Sequence, residues 1–391
     1  MNLPASYEGV VLTMPVTVPY VRYSIESAHF WLARSLKGLL DGTGLPLSKI
    51  DGLCVSSFSL GPDSAVGLTQ HFGVSPRWLD HIPMGGASAI VALRRAARAV
   101  QAGDASVVAV ITGDTNHVDS FRRTLGQFSR FAQDATYPYG AGGPNASFAL
   151  LTRHYMNTTG ATREDFGKLC VAQRDNALRY PPALMKKPLT LDDYLQARPI
   201  TEPIHLFDCV MPCAGAESFL VMSEAQARSL DLAFVRVLGT IERHNGWPDD
   251  VIQSRGGWAL DCKSLYDQAG VGVEEMDFLQ AYDDYPVINM MQLENLGFCE
   301  AGAGPEFVRT HSFTVDGSCP LNTCGGQLSA GQAGAAGGTL GLNEAIRQLT
   351  GRADRTQVAA ARIGMVSGFG MINYDRGLCT AAAILQSGAS A

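Results

Sequence analysis

The sequence predicts an α/β fold made of two similar halves. Three observations carry that expectation. Apolar strand-like runs alternate with helical stretches that open in small residues, one such module recurs late in the chain, and glycine is frequent. Forty-two of the 391 residues are glycine, which suits many tight strand-to-helix turns. The length exceeds what a single core usually serves. A hydrophobic fraction of 46% against 17% charged residues supplies enough apolar side chain for a large buried core.

The elements follow in order. Residues 24–40 suit a helix, with Ile25, Ala28, Trp31, Leu32, Leu36 and Leu39 on one broad apolar face. Residues 50–58 read as a strand. Residues 85–100 read as a helix that begins Gly-Gly-Ala-Ser-Ala and carries Arg94, Arg95 and Arg98 on its polar side. The continuous apolar run 106–112 reads as a strand covered on both faces. Residues 334–349 are again a helix opening in small residues, and 359–367 again an apolar strand. Gly85 to Ser106 and Gly338 to Ala359 are both steps of 21, so a duplicated strand–helix–strand unit is expected. Residues 217–222 return to strand pattern, and a strand over 234–241 starts the second half. The expected division is 1–230 and 231–391. Between about 118 and 215 we expect an inserted loop region on the surface, with a helix-like stretch at 166–179; insertions of this length are often functional.

The formal net charge is −7, and no Lys/Arg run is long enough to grip a phosphate backbone, which argues against nucleic acid as a partner. The N-terminal residues show no basic segment followed by an apolar stretch and cleavage site. No run approaches the roughly 18 apolar residues that span a bilayer. The expectation is a cytoplasmic protein without a membrane partner. The nine cysteines are scattered. His205, Cys209 and Cys213 have a spacing that could hold a metal on a helix, but Leu206, Phe207, Val210 and Met211 surround them and no fourth ligand is apparent. Buried reduced thiols are the reading preferred, with no metal and no disulfide framework.

Four segments together resemble the thiolase superfamily, in its sterol-carrier-protein thiolase-like branch. They are Met84-Gly-Gly-Ala-Ser-Ala89, Asp208-Cys-Val-Met-Pro-Cys-Ala-Gly-Ala-Glu-Ser218, Ala281-Tyr-Asp-Asp-Tyr285 with Leu293-Glu-Asn-Leu-Gly-Phe-Cys299, and Asn322-Thr-Cys-Gly-Gly-Gln-Leu-Ser329 running into Gly331-Gln-Ala-Gly-Ala-Ala-Gly-Gly338. The resemblance implies two α/β halves in five α-β-α-β-α layers, a homodimer, and a pocket for an acyl-CoA. It also places the active-site groups on loops where the halves meet. The family's nucleophilic cysteine falls at Gly86, and a small slip in alignment offers only Ser88. The family's HDCF segment is Tyr282-Asp-Asp-Tyr285, its GHP segment is Gly331-Gln332-Ala333, and the C-terminal glycine loop Ser367-Gly-Phe-Gly-Met371 has no cysteine.

A thiolase needs a thiolate to hold the acyl group and donors for the enolate and tetrahedral oxyanion. This chain lacks the thiol, so what remains suits enolate formation without an acyl-enzyme. Retro-aldol cleavage of a β-hydroxyacyl-CoA has that requirement. The cysteine-less thiolase-like steroid side-chain aldolases are similar in carrying a tyrosine where HDCF starts. They also imply a small OB-fold, zinc-ribbon partner in a heterotetramer. Some have a second tyrosine where this chain has Gln332.

The resemblance points to Tyr282, Gln332 and Tyr374 as catalytic candidates. Tyr282 would relay a proton if a neighbour lowers its pKa. Gly86, Ser88, Asp283, Gly325, Gly326, Gly368 and Gly370 are the candidate substrate-binding residues. No cofactor is expected beyond the CoA of the substrate. Plainer readings stand beside these: Tyr285 as a packed tyrosine, Asp283 and Asp284 as loop caps, Ser88 as a small helix-start residue, Tyr374 as a turn residue. The alternative functions are a non-catalytic acyl-CoA-binding scaffold subunit and an acyltransferase with an unusual nucleophile.

Overall fold

The computed structural model describes residues 6–60, 64–117, 134, 137–141, 143–373 and 376–388. Its strands are β1 (Val10–Val21), β2 (Gly52–Ser56), β3 (Trp78–His81), β4 (Val107–Asp114), β5 (Pro199–Thr201), β6 (Ile204–His205), β7 (Ala214–Ser223), β8 (Phe234–His244), β9 (Phe278–Gln280), β10 (Ile363–Asn373) and β11 (Arg376–Ser387). β5 and β6 form a small separate ribbon, and the others make one sheet in the order β3-β2-β4-β7-β1-β8-β11-β10-β9.

The duplication is visible in that order. β8-β11-β10-β9 repeats β1-β7-β4-β2: in each half two antiparallel pairings lead to a parallel one. The helices Ser88–Ala102 and Gly337–Leu349, each introduced by a short 3-10 turn (Gly85–Ala87 and Gly334–Ala336), precede the matching strands β4 and β10. They pack on each other and on both halves of the sheet, while Ala28–Thr43 and Trp258–Ala269 cover the outer faces. Five layers result. Where two separate sheets were expected, Val11–Thr13 of β1 pair with Phe234–Arg236 of β8 and join them into one hydrogen-bonded sheet.

The two central helices meet through small residues. Ala89, Ala92, Ala96 and Ala97 are fully buried on the first. A Cβ at Gly338 would lie 2.7 Å from the Gly86 carbonyl oxygen, so the second helix can start this close only as glycine. The glycine-rich openings read in the sequence are thus the contact between the halves.

Several bounds differ from the expectation. The first helix starts at Ala28 because Ser27 caps it, accepting from the Phe30 N–H, and it ends at Thr43 with Gly44 left-handed at φ 69°. The last module's strand starts at Ile363 instead of 359, since Ala360 turns the backbone at φ 53°. The larger correction concerns the region expected as an inserted loop. In its described part it holds the expected helix, at Arg163–Arg179, and two further ones at Pro144–Thr159 and Leu191–Leu195. Asn176 ties its second helix to the later half: its side-chain amide donates to Phe313 O and Leu321 O and accepts from Val315 N. Residues 118–133 lie outside the described residues. His205, Cys209 and Cys213 fall on β6 and on the irregular chain before β7, not on a helix, and no cluster of three metal-ligating side chains occurs among the described residues. No helix among them is long and apolar enough to cross a membrane.

Candidate active site

A cleft of about 380 Å³ opens where the two halves meet the helical region, with Gly86, Asn145, Tyr282, Asp284, Gln332 and Gly370 among the residues on its wall. Its chemistry centres on the five residues between β9 and the helix Pro286–Asn295. Ala281 N–H donates to Asn322 Oδ1 at 2.7 Å. The Gln292 carboxamide clamps Tyr282 from both sides, accepting from its N–H at 3.1 Å and donating to its carbonyl at 2.7 Å. Ser367 Oγ, on β10, donates to the same Gln292 oxygen at 2.5 Å. The loop is therefore held by a helix of its own half and by the C-terminal glycine strand.

The chain bends at Asp284 and Tyr285, and the side chains of this loop go to different sides. Tyr282 and Asp284 lie together, and the Tyr282 hydroxyl donates to Asp284 Oδ2 at 2.8 Å. Asp283 points the other way. Its oxygens accept from Gln327 N (2.8 Å), Leu328 N (3.2 Å) and Gln173 Nε2 (2.9 Å), so it caps the short helix Gly326–Ala330. Gly325 and Gly326 accompany that capping turn, at φ 96° and 57°, and added Cβ atoms would strike Ala177 and Asp283 respectively. Asp283, Gly325 and Gly326 are thus off the wall of the main cleft. Ser88 is off it as well: it is fully buried, with its hydroxyl donating to Ile82 O at 3.0 Å and accepting from Met84 N at 3.1 Å. These four candidate contacts do not face this cleft. Tyr374 lies outside the described residues.

Gly86, Gly368 and Gly370 form a close backbone crossing. A Cβ at Gly368 would lie 2.6 Å from Gly86 O, and one at Gly370 would lie 2.3 Å from Met84 O and 2.6 Å from Gly86 N. At Gly86 an added Cβ would fall 2.0 Å from Cε2 and 2.3 Å from Cζ of Tyr282. The tyrosine ring occupies the space into which a side chain at position 86 would project. A thiol there and this ring exclude each other.

Burial sets the protonation of the pair. It pushes Tyr282 well above its ordinary value, with the Asp284 charge adding to the rise. The condition set for relay, a neighbour that lowers the tyrosine, is not met here. Burial raises Asp284 to about 7, against which the Tyr282 hydrogen bond works. Asp283 rises to about 8 through burial, opposed by the Gln327 and Leu328 amides and assisted by Asp284. Asp284 Oδ1 is buried without a hydrogen-bond partner among the described residues. Asp114, the other carboxyl on the cleft wall, has its oxygens occupied by Ser57, Phe58, Ser59 and Ala335. Asp284 is thus the acid in this cleft with a free oxygen and a pKa near neutrality, the condition for a general base.

Gln332 is on the wall, but its carboxamide is tied to Gly334, accepting from its N–H and donating to its carbonyl at 3.3 Å each. It does not bond Tyr282. Cys209 and Cys213 also reach the cleft. Burial pushes Cys209 up to about 12 and Cys213 well above its ordinary value, so both stay protonated and neither is a ready nucleophile. Asp284, Asn145 and Asp114 are cleft residues that the sequence reading left off its candidates.

The doubled topology, the paired helix starts and a cleft between the halves define a thiolase fold whose nucleophile position is filled by a tyrosine ring. The comparisons agree. The thiolase C-terminal domain-like family matches residues 257–382. The steroid side-chain-cleaving aldolase of Thermomonospora curvata is 31% identical over 326 residues, covering 79% of this chain and 82% of the relative. The 17-hydroxy-3-oxo-4-pregnene-20-carboxyl-CoA lyase of Mycobacterium tuberculosis is 29% identical over 373 residues, covering 89% and 94%. The solved Ltp2-ChsH2(DUF35) aldolase matches 99% of both chains with a TM-score of 0.83 and 26% identity. The chain belongs to the thiolase-like aldolase branch of the thiolase superfamily.

Proposed function

We propose that the cleft is the active site of a carbon–carbon lyase that cleaves a β-hydroxyacyl-CoA, of the steroid side-chain class named for the two curated relatives. The observation that carries this is the Tyr282 ring in the space above Gly86 with its hydroxyl on Asp284. An acyl-enzyme has no thiol to form on there, and a proton-transfer pair stands in its place.

The step needs no oxidant and no water. Tyr282 takes the proton of the substrate β-hydroxyl while passing its own to Asp284. The Cα–Cβ bond breaks, the β-oxygen becomes a ketone carbonyl, and the bonding pair moves to Cα and the thioester oxygen as an enolate. The proton then returns to Cα, leaving a ketone and a shortened acyl-CoA. Because Tyr282 is held neutral, it relays rather than waits as a phenolate, and Asp284 is the base that stores the proton.

A homodimer and a small OB-fold, zinc-ribbon partner in a heterotetramer belong to the same reading. β3 lies at one edge of the sheet with all four residues half-buried and no strand among the described residues on its outer side, and an unpaired edge invites pairing with a second copy. The solved Ltp2 aldolase is a pair with a DUF35 protein. Sedimentation of the chain should give at least twice its 41.7 kDa mass; a stable monomer contradicts the dimer.

The activity test uses 17-hydroxy-3-oxo-4-pregnene-20-carboxyl-CoA, with ketone and shortened acyl-CoA followed by chromatography and mass spectrometry. Wild type should form both in equal amounts. Tyr282→Phe keeps the ring and removes the proton, so kcat should fall by about 10²–10⁴ with analogue binding little changed. Wild-type turnover retained in Tyr282→Phe refutes the assignment.

A further inference from the structure

Asn145 is the second residue of the helix Pro144–Thr159 and stands on the wall of the same cleft. Its Oδ1 accepts the Tyr285 hydroxyl at 2.6 Å, and the Cys209 thiol approaches the same oxygen at 3.9 Å. Both donors keep their protons, since burial raises Tyr285 well above its ordinary value and Cys209 up to about 12. The Tyr285 ring is itself fixed, stacked on Phe148 of the same helix with centroids 4.4 Å apart. The amide is therefore oriented by its oxygen, and its NH₂ group has no protein acceptor among the described residues.

Two hydrogen-bonded pairs thus flank one stretch of chain. Tyr282 with Asp284 can exchange a proton. Tyr285 with Asn145 ends in an amide, which donates hydrogen bonds but does not give up a proton at any working pH. Retro-aldol cleavage has needs that divide in the same way. The β-oxygen must lose a proton, whereas the thioester oxygen must gain negative charge beside donors that do not protonate it. Preoriented donors of this kind supply much of the barrier lowering in enolate and oxyanion chemistry.

We propose that Asn145 Nδ2 donates to the thioester oxygen as the enolate forms, with Tyr285 as the positioning residue that turns the amide toward the substrate. This rests on the lyase reading and extends it: Asn145 becomes a catalytic residue contributed by the helical region rather than by the two repeated halves. No electron or proton is transferred through Asn145; the hydrogen bond forms as charge builds and is released when Cα is protonated.

The test pairs two assays on full-length protein. The first is cleavage of 17-hydroxy-3-oxo-4-pregnene-20-carboxyl-CoA. The second is exchange of the Cα hydrogens of propionyl-CoA in D₂O, read by NMR, which requires enolate formation but no β-hydroxyl. Asn145→Asp keeps size and the acceptor for Tyr285 while removing the donor; Asn145→Ala removes both. Each should lose about 10²–10³ in kcat, with exchange falling in parallel. Tyr285→Phe keeps the stacked ring and frees the amide, so it should lower kcat by roughly tenfold with KM nearly unchanged. A purely structural Tyr285 would lower Tm and leave kcat of the folded protein alone. If wild type cleaves and Asn145→Asp, folded by circular dichroism, stays within about tenfold in cleavage, the inference is overturned while the lyase reading survives. If wild type neither cleaves nor exchanges, both fall together.

Discussion

Replacing Asp284 with asparagine tests the base and the cost of burying it in one variant. The asparagine keeps an oxygen to accept the Tyr282 hydroxyl but cannot store a proton. In the folded protein burial lifts Asp284 from 3.8 to about 7. A raised folded-state pKa means that the native state binds the proton more tightly than the unfolded chain. The contribution of Asp284 to stability is therefore full below about pH 4 and is lost as pH rises through about 7. The shift is about three units at about 1.4 kcal/mol each, so the loss is of the order of 4 kcal/mol between those limits. Asp283, raised to about 8 partly by Asp284, titrates as part of the same pair and should fall when its neighbour is neutral. Asp284→Asn should match wild type in Tm near pH 4 and exceed it increasingly toward pH 8. Its activity should move oppositely. Wild-type kcat/KM should rise with pH and level off above about 7, where Asp284 is ionised. The variant should be about 10²–10⁴-fold slower and lose that rising limb. The assays are thermal unfolding and cleavage of the steroid CoA thioester across pH 4.5–8.5. A Tm difference that stays constant with pH, or a variant that keeps the wild-type pH profile, refutes the reasoning.

Other expected outcomes follow from the same geometry. Gly86→Cys should not restore acyl-enzyme chemistry: the new Cβ would sit 2.0 Å from the Tyr282 ring, so the variant should lose about 1–3 kcal/mol or more and show no acetyl adduct by mass spectrometry after incubation with acetyl-CoA. A stoichiometric adduct on the new thiol contradicts the mutual exclusion. Asp283→Ala leaves the Gln327 and Leu328 amides and Gln173 Nε2 without their acceptor, at about 1–3 kcal/mol for each buried donor left unpaired; an unchanged midpoint in urea unfolding removes its capping role. Gln332→Ala should change kcat by less than about tenfold, because its carboxamide already serves Gly334. A loss of 10²-fold or more would contradict this local role and make Gln332 a contact of the substrate.

Much of this protein is legible in one dimension. The apolar runs that become β4 and β10 and the small-residue helix openings of Ser88–Ala102 and Gly337–Leu349 follow from local period and turn chemistry. Those signals sufficed for an α/β fold with a duplicated unit; the five-layer arrangement and the place of the missing thiol at position 86 came from the resemblance to the thiolase superfamily. The limits are equally specific. The region of about 118–215 was expected as an inserted surface loop with one helix-like stretch at 166–179, and Pro181-Pro182 and the Tyr137–Pro144 turn cluster dominate its pattern. Yet Arg163–Arg179 buries the polar residues Gln173, Arg174 and Asn176, whose partners lie far along the chain.

The site shows where the division falls. The sequence shows glycine at position 86 and tyrosine at position 282, and its resemblance to the thiolases implies that the covalent step is missing. It could not decide between Asp283 and Asp284, two neighbouring carboxylates on a loop whose course only the fold sets. Only the tertiary structure turned Asp283 toward Gly326–Ala330 and left Asp284 on the Tyr282 hydroxyl. It also brought Asn145 to Tyr285 across 140 residues of sequence. The physical reason is that period and propensity act over a few residues, whereas desolvation and hydrogen-bond pairing depend on which distant surfaces close over a group. Burial alone raised Asp284 to about 7, and that burial exists only once the two halves and the helical region have packed together.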